Sequence, residues 1–348
     1  MSHTLTTLFL LCVGACAGYI AQFLHLPLPW MLGSLIACAL IAIARPISLP
    51  KDYGFPHKFR LVFIAIVGLM IGSQVTLDTI FTAADLWPSL IGILVFVVLA
   101  HGYNYWAFTR IGHYDAPTAF YSGAPGGLME SIAFGEAQGC DIKILTIQQF
   151  LRLIVVIILV PTLMSFWIGH PVGSASGQTF QHSGEPFGPF DAVIAAGVGA
   201  FGLWFGSKLS LPAKQLMGPL IAAAFLSVIG LVTIDLPDWA LASAQVVIGA
   251  SLGSRFAGLT RSTLQKAIGL SLISVFGMIT IGTALSVFLY HTTGLELDVL
   301  LISFAPGGVT EMSLIALSVN ANAALVSLHH LVRISATVVG LSYFGKRL

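Results

Sequence analysis

Apolar runs of about 17 to 25 residues, separated by short polar gaps, recur from one end of the chain to the other, each long enough to cross a hydrocarbon core of about 30 Å as a helix. The pattern predicts six such segments in the first half, at about 4–24, 28–44, 61–77, 88–109, 116–138 and 144–168. Six more follow, at about 191–207, 215–233, 239–254, 267–290, 299–319 and 323–345. The longest polar stretch, Gly169 to Asp191, is rich in Gly, Ser and Pro and reads as a loop. The expected fold is therefore an all-α polytopic membrane protein.

Composition agrees. Of 348 residues, 57% are hydrophobic and only 8% charged, with a mean hydropathy of +0.94; soluble domains carry about 25% charged residues. A net charge of +1 gives no reason to expect nucleic acid as a partner. Cys12, Cys16, Cys38 and Cys140 lie in or beside apolar segments without metal-ligand spacing and read as small apolar residues. The N-terminal segment carries "ACA", like a signal-peptide cleavage site, but its repeat counterpart at 191–207 favours a retained helix.

That counterpart belongs to a duplication. Ala124, Pro125, Gly126, Gly127 and Glu130 recur 181 positions later as Ala305, Pro306, Gly307, Gly308 and Glu311, and Arg152 recurs as Arg333. At the same offset "GLMIGS" (Gly68 to Ser73) meets "GASLGS" (Gly249 to Ser254). Upstream the offset becomes 185, where "LPLPWMLGSL" faces "LPAKQLMGPL". The expected organisation is one membrane repeat over 1–168, an extracytoplasmic linker over 169–190 and a second repeat over 191–348.

Lys and Arg gather on the cytoplasmic side of short loops. Thirteen of the fifteen lie in loops or at the C-terminus. If all twelve segments cross, these split seven to six; if the two APGG segments enter and leave on one face, all thirteen share a side. Each half then has five crossings, so the repeats are inverted. A second layout, with the APGG segments crossing as broken helices, gives ten to three and also inverts the repeats. The first layout places the N- and C-termini on the cytoplasmic side of a bacterial inner membrane; the second leaves segments one and seven at the interface and strands Lys143, Lys346 and Arg347 outside.

Proline removes a backbone donor and glycine loosens the helix, so each APGG should interrupt its segment at membrane depth. A bilayer tolerates this only where protein or water satisfies the freed groups. The half-helix N-terminus that follows carries partial positive charge and suits an anionic group. Glu130 and Glu311 then have two readings: first-turn acids that complement the dipole, or groups that bind a proton, a cation or substrate. Arg152 and Arg333 are the basic residues inside predicted helices, each with a polar neighbour four residues earlier, Gln148 or His329. Pairing with Glu130 and Glu311 would neutralise them. Asn320 and Asn322 are expected to cap the last helix. The glycine pairs 68/72 and 249/253 are small-xxx-small patterns that suggest close helix packing.

With the doubled APGG, "WMLGSL" and "QLMGPL", and "QQFLRLIVV" beside "HHLVRISAT", the chain resembles the bacterial membrane AbrB family. The resemblance implies a duplicated membrane domain and kinship with inverted-repeat transporters, including cation/proton antiporters and bile acid symporters. Family members are also labelled regulators of gene expression or ammonia monooxygenases. A copper enzyme needs clustered nitrogen ligands, whereas the ten histidines are scattered and only His329 and His330 adjoin. Direct gene regulation needs a basic module that no loop can hold.

The expected function is secondary transport of a small anionic or zwitterionic solute, coupled to H⁺ or Na⁺, without enzymatic activity, cofactor or metal. The binding residues would be Ala124, Pro125, Gly126, Gly127, Glu130, Gln148 and Arg152, with Ala305, Pro306, Gly307, Gly308, Glu311, His329 and Arg333. The expected partners are solute and lipid bilayer, with a homodimer left open. The rival reading is a membrane regulator acting indirectly.

Overall fold

An apolar run in a bilayer satisfies its backbone only by coiling on itself. The computed structural model describes residues 3–44, 50, 53–77, 79, 86–169, 172, 187–211, 213–231, 234–256 and 261–345. Arg45, Lys51, Lys346, Arg347, Asp78, Asp85, Glu185 and most of the linker 169–190 lie outside them. The described residues form helices α1 (His3–Phe23), α2 (Pro29–Ala44), α3 (His57–Ser73), α4 (Trp87–Arg110), α5 (Ala116–Ser122), α6 (Leu128–Ala137) and α7 (Ile142–Ile168) from the first half. The second half gives α8 (Pro189–Lys208), α9 (Lys214–Val228), α10 (Asp238–Gly253), α11 (Arg261–Thr293), α12 (Leu297–Phe304), α13 (Val309–Ser318) and α14 (Ala323–Phe344). Among these, α1, α4, α7, α8, α11 and α14 are long and apolar enough to span a membrane. Asn322 caps α14 by accepting from the Leu325 N–H at 3.2 Å, whereas Asn320 takes a left-handed turn conformation. Asn322→Ala should cost about 1 kcal/mol of stability, read from thermal unfolding.

The helices pack as two compact units, and both halves of the sequence contribute to both. One unit holds Met1–Ile80, Pro161–Thr260 and Leu317–Asn320; the other holds Phe81–Val160, Arg261–Ala316 and Ala321–Leu348.

In the first unit the glycine pairs are close-packing positions. A Cβ on Gly68 would lie 2.5 Å from the Leu216 carbonyl oxygen, and one on Gly253 would lie 2.5 Å from that of Leu35. Gly72 faces the Leu220 carbonyl and Gly249 that of Met31 in the same way. Thus α3 runs along α9, and α10 along α2, with backbones nearly touching. Gly253→Val should lower stability by at least about 1–3 kcal/mol, read from thermal unfolding in detergent, because the obstruction is backbone and cannot rotate away.

In the second unit α4 lies antiparallel to α11: Gly92 meets Leu289, Tyr103 meets Gly277, and Gly112 meets Leu270. The Tyr103 hydroxyl donates to the Ile273 carbonyl at 3.0 Å. Each APGG interrupts a segment into two half-helices, α5/α6 and α12/α13. The first pair folds back on itself as a helical hairpin. The Asp141 N–H, beyond the end of α6, donates to Thr118 Oγ1 near the start of α5 at 3.0 Å, and Gly135 of α6 packs beside Tyr121 of α5.

The second pair returns likewise. His330 contacts the Ile302 carbonyl and Arg333 that of Ala305, so α14 runs parallel to α12 and their starts are level. With four residues joining α13 to α14, α13 must come back to that level. Single cysteines at Asp115 and Gln138, in a protein whose four native cysteines are replaced, should therefore react with an impermeant maleimide from the same side of the membrane. Labelling from opposite sides would require a crossing segment instead.

Candidate functional site

A helix interrupted in an apolar interior leaves carbonyl oxygens that need donors, because an unpaired buried carbonyl costs about 1–3 kcal/mol. The donors are specific side chains of the same unit. At the first break Gln149 Nε2 donates to the Tyr121 and Ser122 carbonyls at 3.0 and 3.1 Å, Asn104 Nδ2 donates to Gly123 at 3.0 Å, and Arg152 Nη1 donates to Ala124. At the second, His330 Nε2 donates to the Ile302 carbonyl at 3.1 Å, while Arg333 donates from Nη1 to Ala305 and from Nη2 to Gly307. The bonds of Gln149 and Arg152 recur 181 positions later at His330 and Arg333. The duplication thus extends to hydrogen bonds.

The described contacts of each guanidinium run to carbonyls released by its own break, Ala124 for Arg152 and Ala305 and Gly307 for Arg333. Each carboxylate folds back over its own break: Glu130 Oε2 lies 3.4 Å from where a Cβ on Gly127 would sit, and Glu311 covers Gly308 similarly. Glu130 is exposed and Glu311 half-buried. This places both acids at the N-termini of α6 and α13, where negative charge complements the helix dipole.

Arg152 and Arg333 are 4% and 0% exposed, and they lie within Coulombic reach of one another. Along α7, Gln149 meets Tyr121 and Arg152 meets Ala124, whereas along α14 it is Gly345 that meets Tyr121 and Ile334 and Thr337 that meet Gly126, so α7 and α14 run in opposite directions past the first break. The Nε–H of each arginine is buried without a partner, as are the hydroxyls of Ser122 and Ser303, which are themselves 181 positions apart. Two buried cations with open donors are an arrangement that an anion would stabilise.

Comparison with known proteins bears on the same residues. The family model for "Transition state regulatory protein AbrB" matches residues 30–348, which include both breaks and both arginines. The chain belongs to the AbrB family. It is 26% identical to "Uncharacterized protein YhjN" of Bacillus subtilis (strain 168), an alignment covering 99% of this chain and 94% of that protein. It is 28% identical to "Putative regulator AbrB" of Escherichia coli (strain K12), covering 89% and 86%.

Around the arginines this AbrB-family protein carries a second polar layer. Gln148, one turn before Arg152, donates from Nε2 to the Tyr114 hydroxyl at 2.8 Å and accepts from Ser271 Oγ at 2.6 Å. Burial pushes the Tyr114 phenol up from its ordinary range. Tyr114, Ile147 and Leu270 also line a cavity of about 650 Å³ whose wall carries His113 and Lys266. His329, one turn before Arg333, contacts Ser89 Oγ at 2.8 Å. Ser89, Ser271, Asn104 and Tyr114 were not legible as site residues. Their signal was a lone polar residue within or beside an apolar segment, and it has meaning only once the partner helix is known. Among the described residues no three His, Cys, Asp or Glu side chains are grouped to hold a metal ion.

Proposed function

We propose that the protein is a secondary transporter for a small anionic or zwitterionic solute, with the solute's negative group held at the two arginine-tethered breaks. The observation that carries this reading is the pair of buried guanidiniums with unpartnered Nε–H groups. The half-helix N-termini at Gly127 and Gly308 add partial positive charge at the same breaks.

The antiparallel pairing of α4 with α11 and of α7 with α14, equivalent helices of the two repeats, supports inverted topology. Secondary transporters combine such repeats with discontinuous helices around a central site. Re-entrant APGG hairpins favour the layout that gathers the basic loops on one face, hence cytoplasmic termini in an inner membrane. Lys266 and His113 beside the cavity give that face an anion-attracting approach.

The regulator reading draws on the names printed for the family and the Escherichia coli relative. A transporter that moves a signalling metabolite would change gene expression without binding DNA, so the label and the flux are compatible.

The test is isotopic counterflow in proteoliposomes, run across carboxylates, sulfonates, phosphates and amino acids. Saturable exchange of at least one anionic or zwitterionic solute is expected. A folded protein that binds a solute on the same panel but exchanges none would favour a sensor.

A further inference from the structure

Two adjacent histidines lie in the site, and hydrogen-bond accounting separates them. Both are 0% exposed. His329 Nδ1 lies 2.8 Å from the Leu325 carbonyl oxygen, which can only accept, so Nδ1 carries a hydrogen in every state. Its Nε2 lies 2.8 Å from Ser89 Oγ, which in turn lies 2.8 Å from the Leu86 carbonyl. Two complete arrangements follow. In neutral His329, the Ser89 hydroxyl donates to Nε2, and the Leu86 carbonyl keeps the Leu90 N–H at 2.9 Å. In protonated His329, Nε2–H donates to Ser89 Oγ and the hydroxyl turns to the Leu86 carbonyl. Gaining a proton rotates one hydroxyl and breaks no network.

His330 is arranged the other way. Its Nε2 faces the Ile302 carbonyl at 3.1 Å, so Nε2 carries the hydrogen, while Nδ1 is buried with no partner. A proton arriving there would create a buried donor with nothing to accept it, which is costly. The repeat supplies a further contrast: the position equivalent to His329 is Gln148, held by Ser271 and Tyr114, which cannot titrate. The layer is thus duplicated in geometry but carries one imidazole.

We propose that His329 is the proton-binding group of the transport cycle, its hydrogen switched through Ser89 and its charge linked to anion occupancy at Arg152 and Arg333. This rests on the transport reading above. The titratable and charged groups on the elements packed against α14 are His101, Tyr103, Tyr105 and Arg110 on α4, Tyr121 on α5, Glu130 and Glu136 on α6, Lys143 and Arg152 on α7, Asp298 on α12, and Glu311 on α13, which meets α14 where Ser313 Oγ lies 2.7 Å from Ser327 Oγ. On α14 itself they are His330, Arg333 and Tyr343, and His330 is in Coulombic reach of both His329 and Arg333. With the arginines uncompensated, their field opposes a proton on His329. An anion beside them cancels that field and favours the proton, and by linkage the proton strengthens anion binding equally. The cycle that results is proton–anion symport.

The test needs no solute. Histidine-labelled protein in phosphatidylethanolamine/phosphatidylglycerol vesicles is titrated from pH 9 to pH 4 by solid-state NMR, with His329→Gln and His330→Gln assigning the signals. The expected result is a neutral Nδ1–H tautomer for His329 that converts to imidazolium, and an Nε2–H tautomer for His330 that persists. Ser89→Ala removes the acceptor for Nε2–H and should lower the His329 midpoint by about one pH unit. Arg152→Gln should raise it by about half a unit or more.

An Nε2–H tautomer at His329, no titration over the range, or a midpoint indifferent to Ser89→Ala would overturn the assignment. If Arg152→Gln fails to fold, the Ser89 variant decides. Absence of counterflow would defeat the transport reading while leaving the titration standing; a non-titrating His329 in a protein that exchanges solute would defeat only the present proposal.

Discussion

Arg333→Met is expected to abolish solute exchange. Removing one member of a buried, charge-assisted contact costs about 2–5 kcal/mol of binding, a factor of roughly 30 to several thousand. Methionine fills much of the volume, so the loss is one of donors and charge. Stability should fall less, because two opposing effects meet. The Ala305 and Gly307 carbonyls lose their donors, at about 1–3 kcal/mol each, but the cost of burying a cation beside Arg152 disappears. Arg333→Lys is the discriminating companion. It retains the charge yet cannot reach two carbonyls and a solute through one planar fork, so exchange should remain below about one tenth of the unsubstituted rate. The readouts are counterflow rate and melting temperature, and full exchange by a folded Arg333→Met protein would remove the arginine from the site.

The second large effect is expected at Gly127. Its φ is +62°, and a Cβ there would meet Val338 Cγ2 at 3.1 Å. Valine adds left-handed backbone strain of about 1–2 kcal/mol and overpacking of about 1–3 kcal/mol. It would also displace the N-terminus of α6 from the break. Both stability and exchange should therefore drop sharply. The neighbouring Gly126→Ala is a control of similar chemistry: its new methyl would lie 3.4 Å from Thr337 Oγ1, an ordinary contact, and its φ is not left-handed. It should shift stability by less than about 1 kcal/mol. Equal damage at both positions, measured by thermal unfolding and counterflow, would mean that the break is not held by the conformation of Gly127.

Local features carried most of what the sequence told. Pro125 and Pro306 mark the interruptions because proline's missing N–H acts within its own turn. The glycine pairs at 68/72 and 249/253 mark close packing because a missing Cβ is visible wherever the partner lies. The repeat offset then made Arg152 and Arg333 stand out as a pair. Partner choice was not legible in the same way. The repeat sets Glu130 and Glu311 beside the arginines as counter-charges, but it does not show that each guanidinium meets carbonyls freed by its break, or that each acid lies over the positive end of its own half-helix. Ser89 escaped notice because a serine in an apolar helix is unremarkable until His329 stands opposite. The mixing of both halves in each unit escaped because the repeat describes chain order, and packing obeys which faces are apolar.

The most direct measurement is a density map of the protein in lipid with a saturating solute from the counterflow panel. The predicted result is solute density whose anionic group lies within hydrogen-bonding distance of Nε on both Arg152 and Arg333. Solute density elsewhere, with both guanidiniums still bound only to the break carbonyls, would contradict it.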